Sequence, residues 1–158
     1  MKRIFGGVVA ASALVVMLGW SAASVSAPNA AAVVKERQAT MKGQSADLKS
    51  IKQYLDGSAD QAAAAKAAGN LLEAASSLHT LFPKGTGMDE FPGKSGAKPV
   101  IWSEPDKFSA AQKTLVEDVQ KLDAAIKSGD KKAAEEQFSN VGKNGCGGCH
   151  GTFRQKLS

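Results

Sequence analysis

From Ala30 onward the chain places apolar residues at helical spacing and nowhere at the alternation a strand needs. Val34, Met41, Leu48 and Leu55 recur at seven-residue steps with Ile51 on the same side, which predicts one amphipathic helix with a core-facing seam. Gly57-Ser58 ends that seam, and Ser58 or Asp60 can cap the next helix. A second stretch sets Leu71, Ala75, Leu78 and Phe82 at steps of four, three and four, behind an alanine run that favours helix and permits close packing. Pro83 stops it. The segment Pro83–Pro105 is rich in proline and glycine and reads as one long loop, a kind of connection that is often functional in a compact domain. Phe108, Leu115, Val119, Leu122 and Ile126 mark a third helix. Ser128-Gly129-Asp130 breaks it, and Asp130 can cap a fourth helix with Ala134, Phe138 and Val141 inward. Two short turns and one long connection predict an all-α, antiparallel four-helix bundle in a single domain.

The beginning of the chain is of another kind. Met1-Lys2-Arg3 precedes an uncharged apolar run from Ile4 to Trp20, and small residues follow through Ala27. This predicts a secretory signal peptide over residues 1–27 and a bundle domain over 28–158. The competing reading is an uncleaved anchor, for which the apolar run is short. Removing Lys2 and Arg3 from the formal charge of +5 leaves +3. Arginine occurs only at 3, 37 and 154, with no basic run interleaved with aromatics, so a nucleic-acid surface is not supported.

The chain has two cysteines, too few for a disulfide scaffold. They fall in Cys146-Gly147-Gly148-Cys149-His150. On an α-helix, offsets of three and four put both thiols and the imidazole on one side. Two thiols so placed can add across the two vinyl groups of a porphyrin, and the adjacent histidine can bind its iron, so the motif reads as c-type haem attachment. A thioredoxin-type redox pair would follow a strand, and none is predicted here. A structural zinc site needs four ligands, and Cys146, Cys149, His150 and distant His79 offer no second pair. Gly142, Gly145, Gly147, Gly148 and Gly151 each cost about 0.8–1.0 kcal/mol relative to alanine in a helix, so the last helix is expected to be weak until haem fastens it.

A haem motif near the end of a four-helix bundle resembles class II cytochromes c, the cytochrome c′ and c-556 family. The resemblance runs from about Val33 to Lys156. It rests on Arg37-Gln38, on Pro99-Val100-Ile101-Trp102, and on Cys146 to His150 followed by Phe153-Arg154. It implies a periplasmic monohaem c-type cytochrome that is not an enzyme, with one haem c bound through Cys146 and Cys149 and His150 on the iron. It also implies that Arg37 and Gln38 contact the haem propionates and that Trp102 lines the haem; Arg154, four residues after His150, is expected to stack beside the imidazole, where its fixed charge tunes the potential.

The family divides by the sixth iron position. The residue matching the c-556 ligand is Met41, and Gln38-Ala39-Thr40-Met41-Lys42 with Leu81-Phe82-Pro83 and Gly85-Thr86-Gly87 resembles that type. The resemblance thus implies His150/Met41 ligation, low-spin iron and single-electron carriage between redox partner proteins. The alternative is a five-coordinate, high-spin cytochrome c′ that binds nitric oxide or other small gases, with Met41 an ordinary member of the core seam. His79, one position off the Leu71/Leu78 face, and Met88, in the loop, are weaker sixth-ligand candidates. Lysines 121, 127, 131, 132, 143 and 156 offer a docking face for an acidic partner or a solvated face, with Glu135 and Glu136 spaced to pair with Lys131 and Lys132. No stable membrane anchor is expected after signal cleavage, and monomer and homodimer both stand open.

Overall fold

The computed structural model describes residues 27–157, so the leader assigned to 1–27 lies outside the described residues apart from Ala27. Helix α1, Ala27–Leu55, buries Ala30, Val34, Ile51 and Leu55, with Met41 and Leu48 half-buried along the same seam. Helix α2, Gln61–Ser77, begins at Asp60, whose carboxylate accepts a hydrogen bond from the Ala63 N–H at 2.7 Å. Its inward face is Ala64, Ala67, Ala68, Leu71 and Ala75, small enough to let α1 pack closely. The helical spacing through Phe82 does not continue as α-helix. Leu78–Leu81 tightens into a 3-10 turn ahead of Pro83, which keeps Leu78 and Leu81 buried and leaves His79 exposed.

The long connection contains a short helix α3, Val100–Ser103, and leads into α4, Pro105–Ser128. Phe108, Leu115, Val119, Leu122 and Ile126 are all buried on α4. Helix α5, Lys131–Asn140, starts at Asp130, which accepts from the Ala133 N–H at 2.9 Å. The single fourth helix expected from spacing is instead three pieces: α5, a π-helical segment Val141–Gly147, and α6, Gly148–Phe153. Gly145 is buried in that segment against Leu115 of α4, and glycine removes the side-chain crowding that would oppose so close an approach. The pairing of Glu135 and Glu136 with Lys131 and Lys132 is not among the ion pairs formed by the described residues. Lys131 lies over the Tyr54 ring instead.

Two apolar clusters result. The main one runs through the bundle around Ile51, Leu71, Leu122, Ile126 and Val141. The other, at one end, joins Ala97, Ile101, Phe108 and Phe153, with Phe82 packed against it. Phe108 stands edge-on to Phe82 at 4.9 Å and to Phe153 at 5.1 Å between ring centroids. Over this end the long loop meets the C-terminal tail. Ala97 and Arg154 form an antiparallel bridge, Lys98 N–H donates to the Phe153 carbonyl at 3.0 Å, and Gln155 N–H donates to the Gly96 carbonyl at 2.7 Å. Any side chain at Gly96 would run into the Gln155 carbonyl oxygen, so the crossing requires glycine there. No helix among the described residues is long and apolar enough to cross a membrane.

Candidate cofactor site

A cavity of about 530 Å³ opens at the aromatic end of the bundle, within the range of roughly 300–1,000 Å³ usual for cofactor sites. Helical spacing on α1 turns Val34, Arg37, Gln38 and Met41 toward it, successive turns of one face. Phe82, Ile101, Phe108 and Phe153 supply aromatic and aliphatic wall, and α6 brings Cys149 and His150. Exposed Lys42, Lys94, Arg154 and Lys156 stand among the lining residues, and none of the lining residues is a carboxylate. An apolar interior with a cationic rim suits a ligand that has an apolar body and an anionic edge.

Both cysteines are free and half-buried. Burial pushes the Cys146 thiol up, and it pushes Cys149 up to about 11, with nearby Cys146 adding to the shift. Both are therefore neutral thiols at ordinary pH in this fold. Burial lowers His150, and the positive charge of Arg154 lowers it further, which favours the neutral imidazole that a metal requires. The placement of Arg154 close to His150 follows from their spacing of one helical turn.

The structure brings Met41, Arg37, Gln38, Cys149 and His150 to one cavity, and it handles four expected residues differently. Cys146 is not among the lining residues; it packs beside the main cluster, whereas Cys149 packs on the end cluster. Cys146 lies in the π segment and Cys149 in α6, and the two remain close enough for Cys146 to add to the Cys149 shift. Trp102 stands outside the cavity wall: its Nε1 donates to the Phe82 carbonyl at 2.9 Å and its ring covers Gly87, so it braces the loop behind Phe82. Arg37 and Gln38 do line the cavity, but their hydrogen bonds go to the loop rather than outward. Arg37 donates to the Leu81 and Thr86 carbonyls and to the Thr86 and Ser95 hydroxyls, and Gln38 donates to the Lys94 carbonyl.

His79 and Met88 do not line the cavity, and His79 Nδ1 lies 3.2 Å from the Ser76 carbonyl oxygen. Of the six lysines considered for docking, only Lys156 belongs to the rim; Lys42 and Lys94 are its other lysines. Thr86 and Ser95, the buried partners of Arg37, lie in a loop sequence without periodicity; Thr86 falls in the Gly85-Thr86-Gly87 run of the resemblance, but nothing there marks either residue as a partner of Arg37. Phe108 and Phe153 line the cavity as well as the core. Phe108 was legible as core, but its second role was not.

Haem c fits this set of residues. The cavity offers a soft thioether on α1, a neutral imidazole and a protonated thiol on α6, a second thiol close by, and cations for an anionic edge. Chemistry of this kind, carried at the end of a helical bundle, defines a c-type cytochrome of the four-helix class.

Known proteins agree with this assignment. The family profile described as Cytochrome C′ matches residues 32–154, so the chain belongs to the cytochrome c′ family, the class II cytochromes c. Cytochrome c-554 of Cereibacter sphaeroides is 39% identical over 98 residues, covering 61% of this chain and 71% of that protein. Cytochrome c′ of Pararhodospirillum photometricum is 30% identical over 125 residues, covering 78% of this chain and 97% of that one. Among solved structures, cytochrome c′ from Rubrivivax gelatinosus superposes with a TM-score of 0.67 at 28% identity, over 78% of this chain and 94% of that one. The nitric oxide complex of a cytochrome c′ variant from Alcaligenes xylosoxidans superposes at 0.70 with 26% identity, over 80% and 97%.

Proposed function

We propose that the protein is a periplasmic, low-spin monohaem cytochrome that carries single electrons between redox partner proteins, with haem c attached through Cys146 and Cys149 and with His150 and Met41 as axial ligands. The observation that carries this reading is that Met41 of α1 and His150 of α6 line the same cavity, while His79 and Met88 do not. Haem c supplies a one-electron ferric/ferrous couple. The chain's own residues set its surroundings. Phe82, Ile101, Phe108 and Phe153 exclude water. His150 is held neutral by burial and by Arg154. A thioether at Met41 is a soft donor that favours the reduced iron and raises the potential. Lys42, Lys94, Arg154 and Lys156 offer positive charge to the propionates and, beyond them, to an acidic partner surface.

The optical spectrum of the purified protein tests this. A sharp low-spin α band after reduction, with a weak far-red thioether band in the ferric state, is expected. A second reading is a five-coordinate, gas-binding cytochrome c′; the nitric oxide complex of the Alcaligenes xylosoxidans relative favours it. A broad high-spin Soret band with ready carbon monoxide binding would replace the first reading with the second.

A further inference from the structure

Arg37 is buried at 6% exposure without an acidic partner among the ion pairs of the described residues, with its guanidinium carbon 4.7 Å from the centre of the Phe82 ring. A buried charge is costly unless its hydrogen bonds are met. Here the guanidinium makes four, to the Leu81 carbonyl at 2.9 Å, the Thr86 hydroxyl at 3.1 Å, the Thr86 carbonyl at 2.7 Å and the Ser95 hydroxyl at 2.8 Å. Both hydroxyls are then used again. Thr86 Oγ1 donates to the Pro83 carbonyl at 2.8 Å, and Ser95 Oγ donates to the Thr86 carbonyl at 2.9 Å while accepting from the Ala97 N–H at 3.3 Å. From Gly96 and Ala97 the chain of bonds passes to Arg154 and Gln155 through the loop–tail bridge. It thus runs from α1, one turn before Met41, to the tail that begins one turn after His150.

No extensive packing of α1 on α6 braces these two walls, because the cavity lies between them. We infer that Arg37 is a positioning residue: its planar fork anchors a clasp of loop and tail that fixes the separation of α1 from α6 and so keeps the Met41 thioether within reach of the iron that His150 holds. This inference rests on the His150/Met41 reading and deepens it. Lysine keeps the charge over Phe82 but is a point donor and cannot span the Leu81, Thr86 and Ser95 acceptors as the fork does.

The test compares Arg37→Lys, Arg37→Gln and Ser95→Ala in the haem-loaded protein, with Met41→Ala alongside. Ferric far-red absorption, carbon monoxide association to the reduced protein and amide exchange at Lys98 and Gln155 are measured. Both Arg37 variants should lose most of the thioether band, bind carbon monoxide at least about tenfold faster, and exchange the Lys98 and Gln155 amides at least about tenfold faster than wild type. Ser95→Ala, which removes one link without disturbing the charge, should move all three in the same direction by less, and it keeps the test open if the Arg37 variants do not fold. A thioether band untouched by Arg37→Lys would overturn the inference. So would a lost band with exchange at Lys98 and Gln155 unchanged, since Arg37 would then act by another route. A wild type in which Met41→Ala changes nothing would overturn it together with the reading beneath it, whereas a ligated Met41 insensitive to Arg37→Lys would overturn it alone.

Discussion

Gly145 lies directly against Leu115: a Cβ on the glycine would stand 2.8 Å from Leu115 Cδ1 and 3.4 Å from its Cα. This contact seats the π segment carrying Cys146 on α4, and with it the start of α6. Helix propensity treats the glycines of this region alike, as a cost, but the structure separates them. Gly142 is exposed, and a Cβ there would meet nothing within 4 Å, while Gly145 has no room.

The two should therefore respond oppositely to alanine. Gly145→Ala should destabilise the protein, because overpacking costs about 1–3 kcal/mol and the helix-propensity gain of about 0.8–1.0 kcal/mol offsets it only in part. Gly142→Ala should be neutral to stabilising by up to about 1 kcal/mol. Urea unfolding of the two variants measures the difference.

The elevated thiol pKa of Cys149 makes two related predictions for the haem-free protein. Folded Cys149 should react with iodoacetamide at pH 8 about tenfold more slowly than in the unfolded chain, since the smaller thiolate fraction outweighs its greater nucleophilicity. Its ionisation should also cost stability at high pH. The unfolded thiol ionises near its ordinary value of 9.0 while the folded one holds its proton to about 11, so stability falls as pH rises across that window. Equal alkylation rates in buffer and in urea would contradict the first of these.

Trp102 provides a contrast between stability and the cofactor. Trp102→Phe removes the indole N–H that meets the Phe82 carbonyl and should cost about 1 kcal/mol. Because Trp102 stands outside the cavity wall, the haem spectrum should not change. A thermal melt and an absorption spectrum of the same sample check both halves, and a shifted Soret band would place Trp102 at the haem after all.

Much of this molecule is legible in its sequence. The Phe108, Leu115, Val119, Leu122 and Ile126 stripe and the Asp60 and Asp130 caps follow from local rules, since a helix face and an N-cap depend on residues within a turn or two. The π segment does not, because its hydrogen bonds are chosen by how Gly145 meets Leu115, thirty residues away in sequence. The partners of Arg37 are similarly hidden. Family resemblance pointed Arg37 and Gln38 at propionates, but Leu81, Thr86, Lys94 and Ser95 take up their hydrogen bonds, and loop residues carry no period from which such pairing can be read. The Cys146, Cys149 and His150 motif is the clearest signal in the chain, and spacing alone does not tell that Cys146 packs on the main cluster while Cys149 packs on the end cluster.

The state of the iron turns on what Met41 does, and replacing it is the most direct measurement. Met41→Ala in the haem-loaded protein, read by ferric and ferrous absorption spectra against wild type, should abolish the far-red thioether band and convert low-spin iron to a high-spin, carbon monoxide-binding form. High-spin spectra that stay the same on losing Met41 would make it a core residue and the protein a five-coordinate cytochrome c′.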